Sequence, residues 1–349
     1  MFIGIVPLSA NRHITDRGKH LKQGQVFFES KPKSSCSACE ERIVELAIFA
    51  DQSYLDIVKK KLSTKSSKVI RGFICVLVEA MALLYRDESM KTKIAFKIVR
   101  MEFFSKTPSS IVTHHGLLTP YLKSFCKYAT DHTETHSWDH AMLLTNTDLR
   151  DEYSNNPIGT AFTGGCCVDY GGCSIIESTN LQAAFVMAHE VGHSLGMGHD
   201  GENKNIQCKK GEHLMSPLLG RGQLKWSSCS NKNLEDYLEA NENSRFTNVR
   251  RGCLKSLTGT SEKSYSFMTD KLPGERFTLN QQCYIFDTKR PVAVTNDILG
   301  RFRLQGDICG KMYCTDASKM YAVPAHPPLE GTVCASGKQC RNGECKTVN

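Results

Sequence analysis

His189 to Asp200, HEVGHSLGMGHD, is the stretch whose reading decides the fold. On a helix, His189 and His193 stand four residues apart and project from one face. Glu190 follows the first histidine, where its carboxylate can act on a water without itself binding a metal. Gly196 lets the chain leave the helix in a backbone conformation that is costly for other residues. The turn then brings His199 back as a third nitrogen. Three neutral imidazoles around a zinc ion leave a fourth position for water, the pattern of a catalytic rather than a structural site. H-E-x-x-H alone arises by chance in about 2% of chains of this length and composition, and requiring Gly196 and His199 as well cuts that to roughly 1 in 10,000. Met215, in HLMSP, agrees with a metal site, although a lone methionine is ordinarily a core residue.

The sequence around this string alternates between two hydrophobic periods. RIVELAIFAD, from Arg42, predicts a buried strand, and Ser53 to Ser63 follows with helical spacing. Lys68 to Arg86 predicts a longer helix with Ile70, Phe73, Ile74, Leu77, Met81 and Leu84 on one side. KIAFKIVRMEFF reads as a strand, Leu117 to Tyr128 as a helix and HAMLLTN as another strand. GTAFTGG reads as a short strand among glycines, and Asn180 to Leu195 as a helix ended by glycine. Strands and helices in this order imply an α/β domain ending near Cys253. Lys255 to Ser264 is a Ser/Thr/Gly/Lys-rich link. Beyond it, six cysteines, few helix signals and turns marked by Pro and Gly predict a small domain held by disulfides.

The chain has 349 residues, of which 40% are hydrophobic and 23% charged, the composition of a globular protein rather than a disordered one. The longest apolar run, Gly72 to Tyr85, is too short to span a bilayer and contains Glu79, so no transmembrane segment is expected. Sixteen cysteines point to an oxidising, extracellular setting. The N-terminal MFIGIVPLSA lacks a basic start and a clear cleavage site, so the targeting segment is expected to be missing or the gene product incomplete. The net charge of +8 includes one basic stretch, Lys59, Lys60, Lys61, Lys65, Lys68 and Arg71, and a second at Arg250 and Arg251. These read as solvated faces or as contacts for anionic matrix glycosaminoglycans. Without interleaved aromatics or zinc-finger cysteine spacing, no nucleic-acid partner is expected.

H-E-x-x-H-x-x-G-x-x-H with a later Met-turn resembles the metzincin metalloproteases. Asp200, directly after the third histidine, is similar to the adamalysin (reprolysin) branch, which includes snake-venom metalloproteases, ADAMs and ADAMTS proteases. ELAIFAD, LKSFCKY, DHAMLLTN and IGTA resemble ADAMTS in particular. LPGERFTLNQQC, DICGKMYC, EGTVC and CRNGEC look like the ADAMTS disintegrin-like domain, and the resemblance runs from Arg42 to Cys345.

The resemblance implies an α/β metzincin catalytic domain over 41–256, a twisted mixed sheet with helices and a zinc cleft. A linker (257–264) and a small disulfide-rich, disintegrin-like domain (265–349) would follow, with 1–40 a leader or propeptide remnant. It implies that His189, His193 and His199 bind zinc, that Glu190 is the general base on a zinc-bound water, and that Met215 floors the site. Ile158, Gly159, Thr160 and Ala161 would form an edge strand that pairs with an extended peptide substrate; without the resemblance they are a plain edge strand. It also implies a structural calcium ion held by Glu45, Asp139 and the Cys253 carbonyl. Ser256 replaces the usual Asp or Asn there, and Glu45 and Asp139 read equally as ordinary acids. The implied disulfides are Cys126–Cys173, Cys167–Cys253, Cys208–Cys229, Cys283–Cys314, Cys309–Cys340 and Cys334–Cys345. Cys36 or Cys39 reads as a zinc-capping prodomain thiol, an extra disulfide or a free thiol, and Cys75 as a buried thiol or a partner of Cys166. The expected protein is a secreted zinc endopeptidase acting on extracellular or matrix proteins. Its rival is a non-catalytic secreted binder working through the disintegrin-like domain.

Overall fold

Arg42–Ala50 forms strand β1 and sorts its side chains by alternation. Val44, Leu46, Ile48 and Ala50 point into one apolar cluster, and Ala47 and Phe49 into another on the opposite face. The protein is a computed structural model that describes residues 42–132, 138–151, 157–177, 179–218, 223–243, 253–254, 271–304, 306–318 and 320–348. Cys36, Cys39, Arg250, Arg251, Ser256, the expected leader and the 257–264 linker lie outside the described residues.

Helices cover both faces of the sheet, which suits its largely parallel strands. On the first face lie α1 (Gln52–Lys61), α2 (Ser67–Arg86) and the helix α4 (Ala183–Ser194) that bears the first two histidines. On the second lies α3 (Leu118–Asp131), whose Tyr121, Leu122 and Phe125 are buried. The strand order is β2-β1-β3-β5-β4, with β2 Ile94–Phe103, β3 His140–Thr145, β4 Gly159–Ala161 and β5 Cys173–Glu177. All pairs are parallel except β4–β5, so the sheet is mixed and β4 is its antiparallel edge. The expected α/β sheet with helices is therefore borne out, and the antiparallel edge lies beside α4. No described helix is long and apolar enough to cross a membrane.

Within 271–348, a Thr278/Gln281 capping box starts α6 (Leu279–Phe286), a helix signal that the reading of this region as helix-poor passed over. Two three-stranded antiparallel sheets follow: β6 (Val292–Ala293), β7 (Tyr313–Thr315) and β8 (Ala322–Pro324), then β9 (Val333–Ala335), β10 (Lys338–Arg341) and β11 (Glu344–Thr347). Their small cluster includes the half-cystines Cys283, Cys309, Cys314, Cys334 and Cys340. Phe277, Ile285 and Leu329 instead join the large cluster of the first domain, so the two units share apolar packing.

Disulfides join Cys126–Cys173, Cys167–Cys253, Cys208–Cys229, Cys283–Cys314, Cys309–Cys340 and Cys334–Cys345. Cys75 and Cys166 are not bonded to each other, and each keeps its thiol. The Cys166 thiol lies 3.5 Å from the Asp139 carbonyl.

His140, at the start of β3, is fully buried. Its Nε2 lies 2.9 Å from Ser174 Oγ on β5, and its Nδ1 2.9 Å from Ser194 Oγ at the end of α4. Burial pushes its pKa down to about 3. In the unfolded chain the ring titrates near ~6.5. The folded state therefore refuses a proton that the unfolded state accepts, and stability present above that value is lost as pH falls from it toward the folded pKa. Between pH ~6.5 and ~4.5 the loss should be about 2–3 kcal/mol from His140 alone. Urea midpoints measured across that range in chelator should fall for the parent and fall less steeply for His140→Asn. Parallel slopes for the two proteins would remove His140 from this role.

Candidate metal centre

The zinc string ends a helix that is buried almost throughout, and the helix is placed by what packs on it. Gly192 faces Met215: a Cβ at Gly192 would come within 2.6 Å of Met215 Sδ, so the missing side chain lets the methionine, itself fully buried, lie under the helix. Gly196 has φ +87°, the left-handed region that favours glycine. A Cβ there would also approach Tyr237 Cβ to 2.7 Å, so this turn admits glycine on two grounds. Tyr237 belongs to α5 (Ser228–Glu242). Another α5 residue, Asn233, accepts the Gly198 N–H with its Oδ1 at 3.0 Å and so pins the segment leading to His199.

This turn brings the three imidazoles together. His189 Nε2 is 3.2 Å from His199 Nε2, and His193 Nε2 is 3.1 Å from it. Each Nδ1 faces an acceptor: the Leu214 carbonyl at 2.7 Å for His189, the Met197 carbonyl at 2.8 Å for His193 and Glu202 Oε2 at 3.2 Å for His199. A carbonyl can only accept, so Nδ1 holds the proton in the two helical histidines and Nε2 presents a lone pair. Lone pairs turned toward one another at this range repel unless a cation lies among them. Nitrogens at zinc-ligand distance in tetrahedral geometry stand about 3.3 Å apart, close to the separations seen. The donor set therefore fits zinc. Burial and the neighbouring histidines push the pKa of His189 well down, and burial first, then His199, lowers that of His193 to about 4. Both rings are therefore neutral and ready to bind a metal at neutral pH. The other groupings of potential ligands among the described residues contain half-cystines, whose sulfurs are already engaged in disulfides.

The Glu190 carboxylate, on the same helix as His189 and His193, lies against the sheet edge. It is 4% exposed, and its Oε2 is buried without a hydrogen-bond partner. A Cβ at Gly159 of β4 would come within 2.5 Å of Glu190 Oε1, so the carboxylate packs directly on the edge strand. Burial pushes its pKa up to about 8. The reading of IGTA as an edge strand placed Gly159 near the cleft but did not foresee that the glycine makes room for this carboxylate. Thr160 and Ala161 pair with Ile175 and Ser174 of β5, while Ile158 lies just outside the strand and its carbonyl accepts the Glu177 N–H at 2.9 Å.

Asp200, next after His199, is buried, and its Oδ1 accepts from Ser227 Oγ at 2.7 Å while its N–H donates to the Met215 carbonyl at 2.9 Å. The aspartate thus ties the third histidine to the methionine turn and to the N-cap of α5. Glu202, which no metal-binding motif in the sequence singles out, borders the same group through the His199 Nδ1 contact.

The residues suggested for calcium meet where β1 runs beside the start of β3, Glu45 on β1 and Asp139 just before β3. Glu45 N–H donates to Asp139 Oδ2 at 3.0 Å, and Asp139 N–H donates to the Glu45 carbonyl at 2.8 Å. The Asp139 carboxylate also lies beside the Cys167–Cys253 sulfurs. The Glu45 carboxylate faces Lys97 Nζ at 3.8 Å. In the basic stretch, Lys61 Nζ donates to the Thr179 carbonyl, and the Arg71 guanidinium stacks over Phe103. Lys60, Lys65 and Lys68 are exposed.

Residues 42–249 match the family described as Reprolysin (M12B) family zinc metalloprotease, and residues 273–346 match the ADAMTS cysteine-rich domain 2. The chain is 30% identical over 312 residues to a disintegrin and metalloproteinase with thrombospondin motifs, adt-1, of Caenorhabditis elegans, covering 86% of the chain and 20% of that protein. It is 31% identical over 316 residues to a disintegrin and metalloproteinase with thrombospondin motifs 16 of Homo sapiens, covering 88% of the chain and 23% of the relative. A third relative, number 19 of the same series in Homo sapiens, is 28% identical over 357 residues, covering 95% and 27%. The chain thus spans about a fifth to a quarter of the length of these relatives.

Proposed function

We propose, from the fact that the chain belongs to the reprolysin (M12B) family of zinc metalloproteases, that it is a zinc-dependent endopeptidase cleaving extracellular or matrix proteins. The observation that carries this reading is three imidazole nitrogens converging within 3.2 Å beside a buried carboxylate whose Oε2 has no partner. Zinc bound by His189, His193 and His199 would supply Lewis acidity, acidifying a water and polarising the scissile carbonyl. The Leu214 and Met197 carbonyls hold the two helical rings in the tautomer that presents Nε2. Glu190 accepts the proton of the attacking water at its carboxylate and hands it to the departing amine. Its burial keeps bulk water from competing for that proton. Strand β4 offers the backbone of Gly159 to Ala161 as the edge on which an extended peptide lies, fixing the scissile bond over Glu190. Met215 supports the helix from below through Gly192.

Secretion is supported by twelve cysteines engaged in six disulfides, a pattern of oxidising compartments. A disintegrin-like role for the second domain rests on the sequence resemblance, and glycosaminoglycan contact would use exposed Lys60, Lys65 and Lys68. A structural calcium held by Glu45, Asp139 and the Cys253 carbonyl rests on the sequence resemblance, with Glu45 and Asp139 neighbours in the fold and the Asp139 carboxylate beside the Cys167–Cys253 sulfurs.

The test is metal analysis of the purified full chain together with cleavage of an unfolded generic protein. One zinc per chain and cleavage that a chelator abolishes and zinc restores are expected, with calcium read in the same sample. Bound zinc with no cleavage under any condition would favour the binding-protein alternative, and zinc-free, chelator-resistant cleavage would overturn the mechanism.

A further inference from the structure

Among the three imidazoles, His199 differs in what holds its second nitrogen. His189 and His193 sit on α4 and face backbone carbonyls, whereas His199 lies in the turn after the helix and its Nδ1 faces the carboxylate of Glu202, 3.2 Å away. Glu202 is itself held: its Oε1 accepts from Lys210 Nζ at 2.9 Å. Lys210 reaches it by lying across Gly201, where a Cβ would come within 2.4 Å of Lys210 Cγ and where φ is +76°. The segment beneath is fixed at several points. Gly201 N–H donates to the Asn205 carbonyl at 3.0 Å, and Asn205 N–H donates to the Glu202 carbonyl at 2.8 Å. Asn205 Nδ2 donates to the Gly198 carbonyl and to Asn233 Oδ1 of α5, and the Cys208–Cys229 disulfide closes the loop onto the same helix.

We propose that Glu202 is a positioning residue for the third metal ligand, orienting His199 through Nδ1, with Lys210 keeping the carboxylate in place. The proposal rests on the reading of the three histidines as a zinc site. A carboxylate that accepts the Nδ1–H fixes both the ring's rotation and its tautomer, and it adds electron density to the nitrogen opposite. The helical histidines need no such help, because their rotations are set by α4 and its carbonyl partners. A ligand on a turn has no helix to orient it, and a charged acceptor makes a stronger hydrogen bond than a neutral one. Lys210 confines Glu202 to one arrangement and is exposed enough to be replaced without disturbing the core. Glu202 is thus placed to do for His199 what a main-chain carbonyl does for each of the other two.

The experiment compares zinc affinity, by competition with a chromophoric chelator, for the full-length parent, Glu202→Ala, Glu202→Gln and Lys210→Ala. The visible absorption of each cobalt-substituted protein is recorded alongside. For Glu202→Ala we expect the zinc Kd to rise about 10- to 100-fold, and the cobalt spectrum to change as His199 rotates. Glu202→Gln keeps a neutral acceptor and should recover part of that loss, and Lys210→Ala should lose less than Glu202→Ala. Parental zinc affinity and an unchanged cobalt spectrum in Glu202→Ala would overturn the proposal. So would a Glu202→Gln protein as impaired as Glu202→Ala, which would point to general damage to the loop. Should Glu202→Ala fail to fold, Glu202→Gln decides alone: weakened zinc and a shifted spectrum support the role, and parental values overturn it. A parent that binds no zinc would instead sink the zinc reading on which this rests.

Discussion

Glu190→Gln should leave zinc bound and lower kcat/KM on any cleaved peptide by at least ~100-fold and up to ~10⁴-fold, the contribution of a general base. In activation terms that is about 3–5 kcal/mol. The amide has nearly the volume of the carboxylate and fits against Gly159, but it cannot take a proton from water. The three imidazoles do not depend on Glu190 for their hydrogen bonds, so metal content should match the parent. Folding should not suffer either. The carboxylate is buried, its Oε2 has no partner, and burial alone pushes its pKa to about 8, so at neutral pH the metal-free protein must take up a proton there on folding, a cost that glutamine removes. Metal-free Glu190→Gln should therefore melt no lower than the metal-free parent. An inactive variant with full zinc and unchanged melting isolates the proton transfer. Full activity with zinc bound would show that another group takes the proton.

The sequence shows this site well because its chemistry is local. Two ligands, the base and the turn glycine lie on one helix and its exit, and their spacing is set by helix geometry alone. The strand β1 and the helix α2 are legible for a similar reason, since each shows one clear period over many residues. Elements whose buried faces do not look buried were not legible. Strand β5 has only five residues, the first four of them buried, so it has no alternation to read. Helix α5 buries Ser230, Asn231, Asn233 and Asn241, which breaks the apolar stripe expected of a packed helix. Its buried amides serve instead as hydrogen-bond partners for other backbones: Asn233 for Gly198 near the third histidine, and Asn231 for the Ser89 carbonyl. The same limit hides Glu202, which belongs to no metal-binding string and becomes visible only when the loop folds back. Gly159 and Glu190 meet across the sheet edge, a contact that no local period encodes.

The second large effect is expected where the two domains join. Glu79, the lone charge in the longest apolar run, looked in the sequence like a residue that merely excludes a membrane span. It is 1% exposed on α2 and pairs at 2.5 Å with Arg276, 12% exposed, from the segment leading into α6. Phe277, the next residue, packs edge-on against Phe73, six residues before Glu79 on α2, at 6.4 Å between ring centres. Arg276→Ala would leave the Glu79 carboxylate buried without its cation, which should cost about 3–5 kcal/mol of stability. The cost should depend on pH. Burial already raises the Glu79 pKa to about 7 despite the opposing pull of Arg276, and without the arginine it should rise further. A raised carboxyl pKa means the folded state favours the neutral acid, so the penalty shrinks as pH falls and is greatest above the folded pKa. Urea unfolding at pH ~8 should therefore show a larger loss for Arg276→Ala than unfolding at pH ~6. Replacing both residues with methionine should restore most of the stability, because an apolar pair of similar size avoids the desolvation of two charges. If the pair only decorates a surface, Arg276→Ala would shift stability by less than about 0.5 kcal/mol at either pH. If it joins the domains, the single substitution should be severe at high pH and the double one mild. Because Phe277, Ile285 and Leu329 belong to the first domain's core, both units should then unfold in one transition.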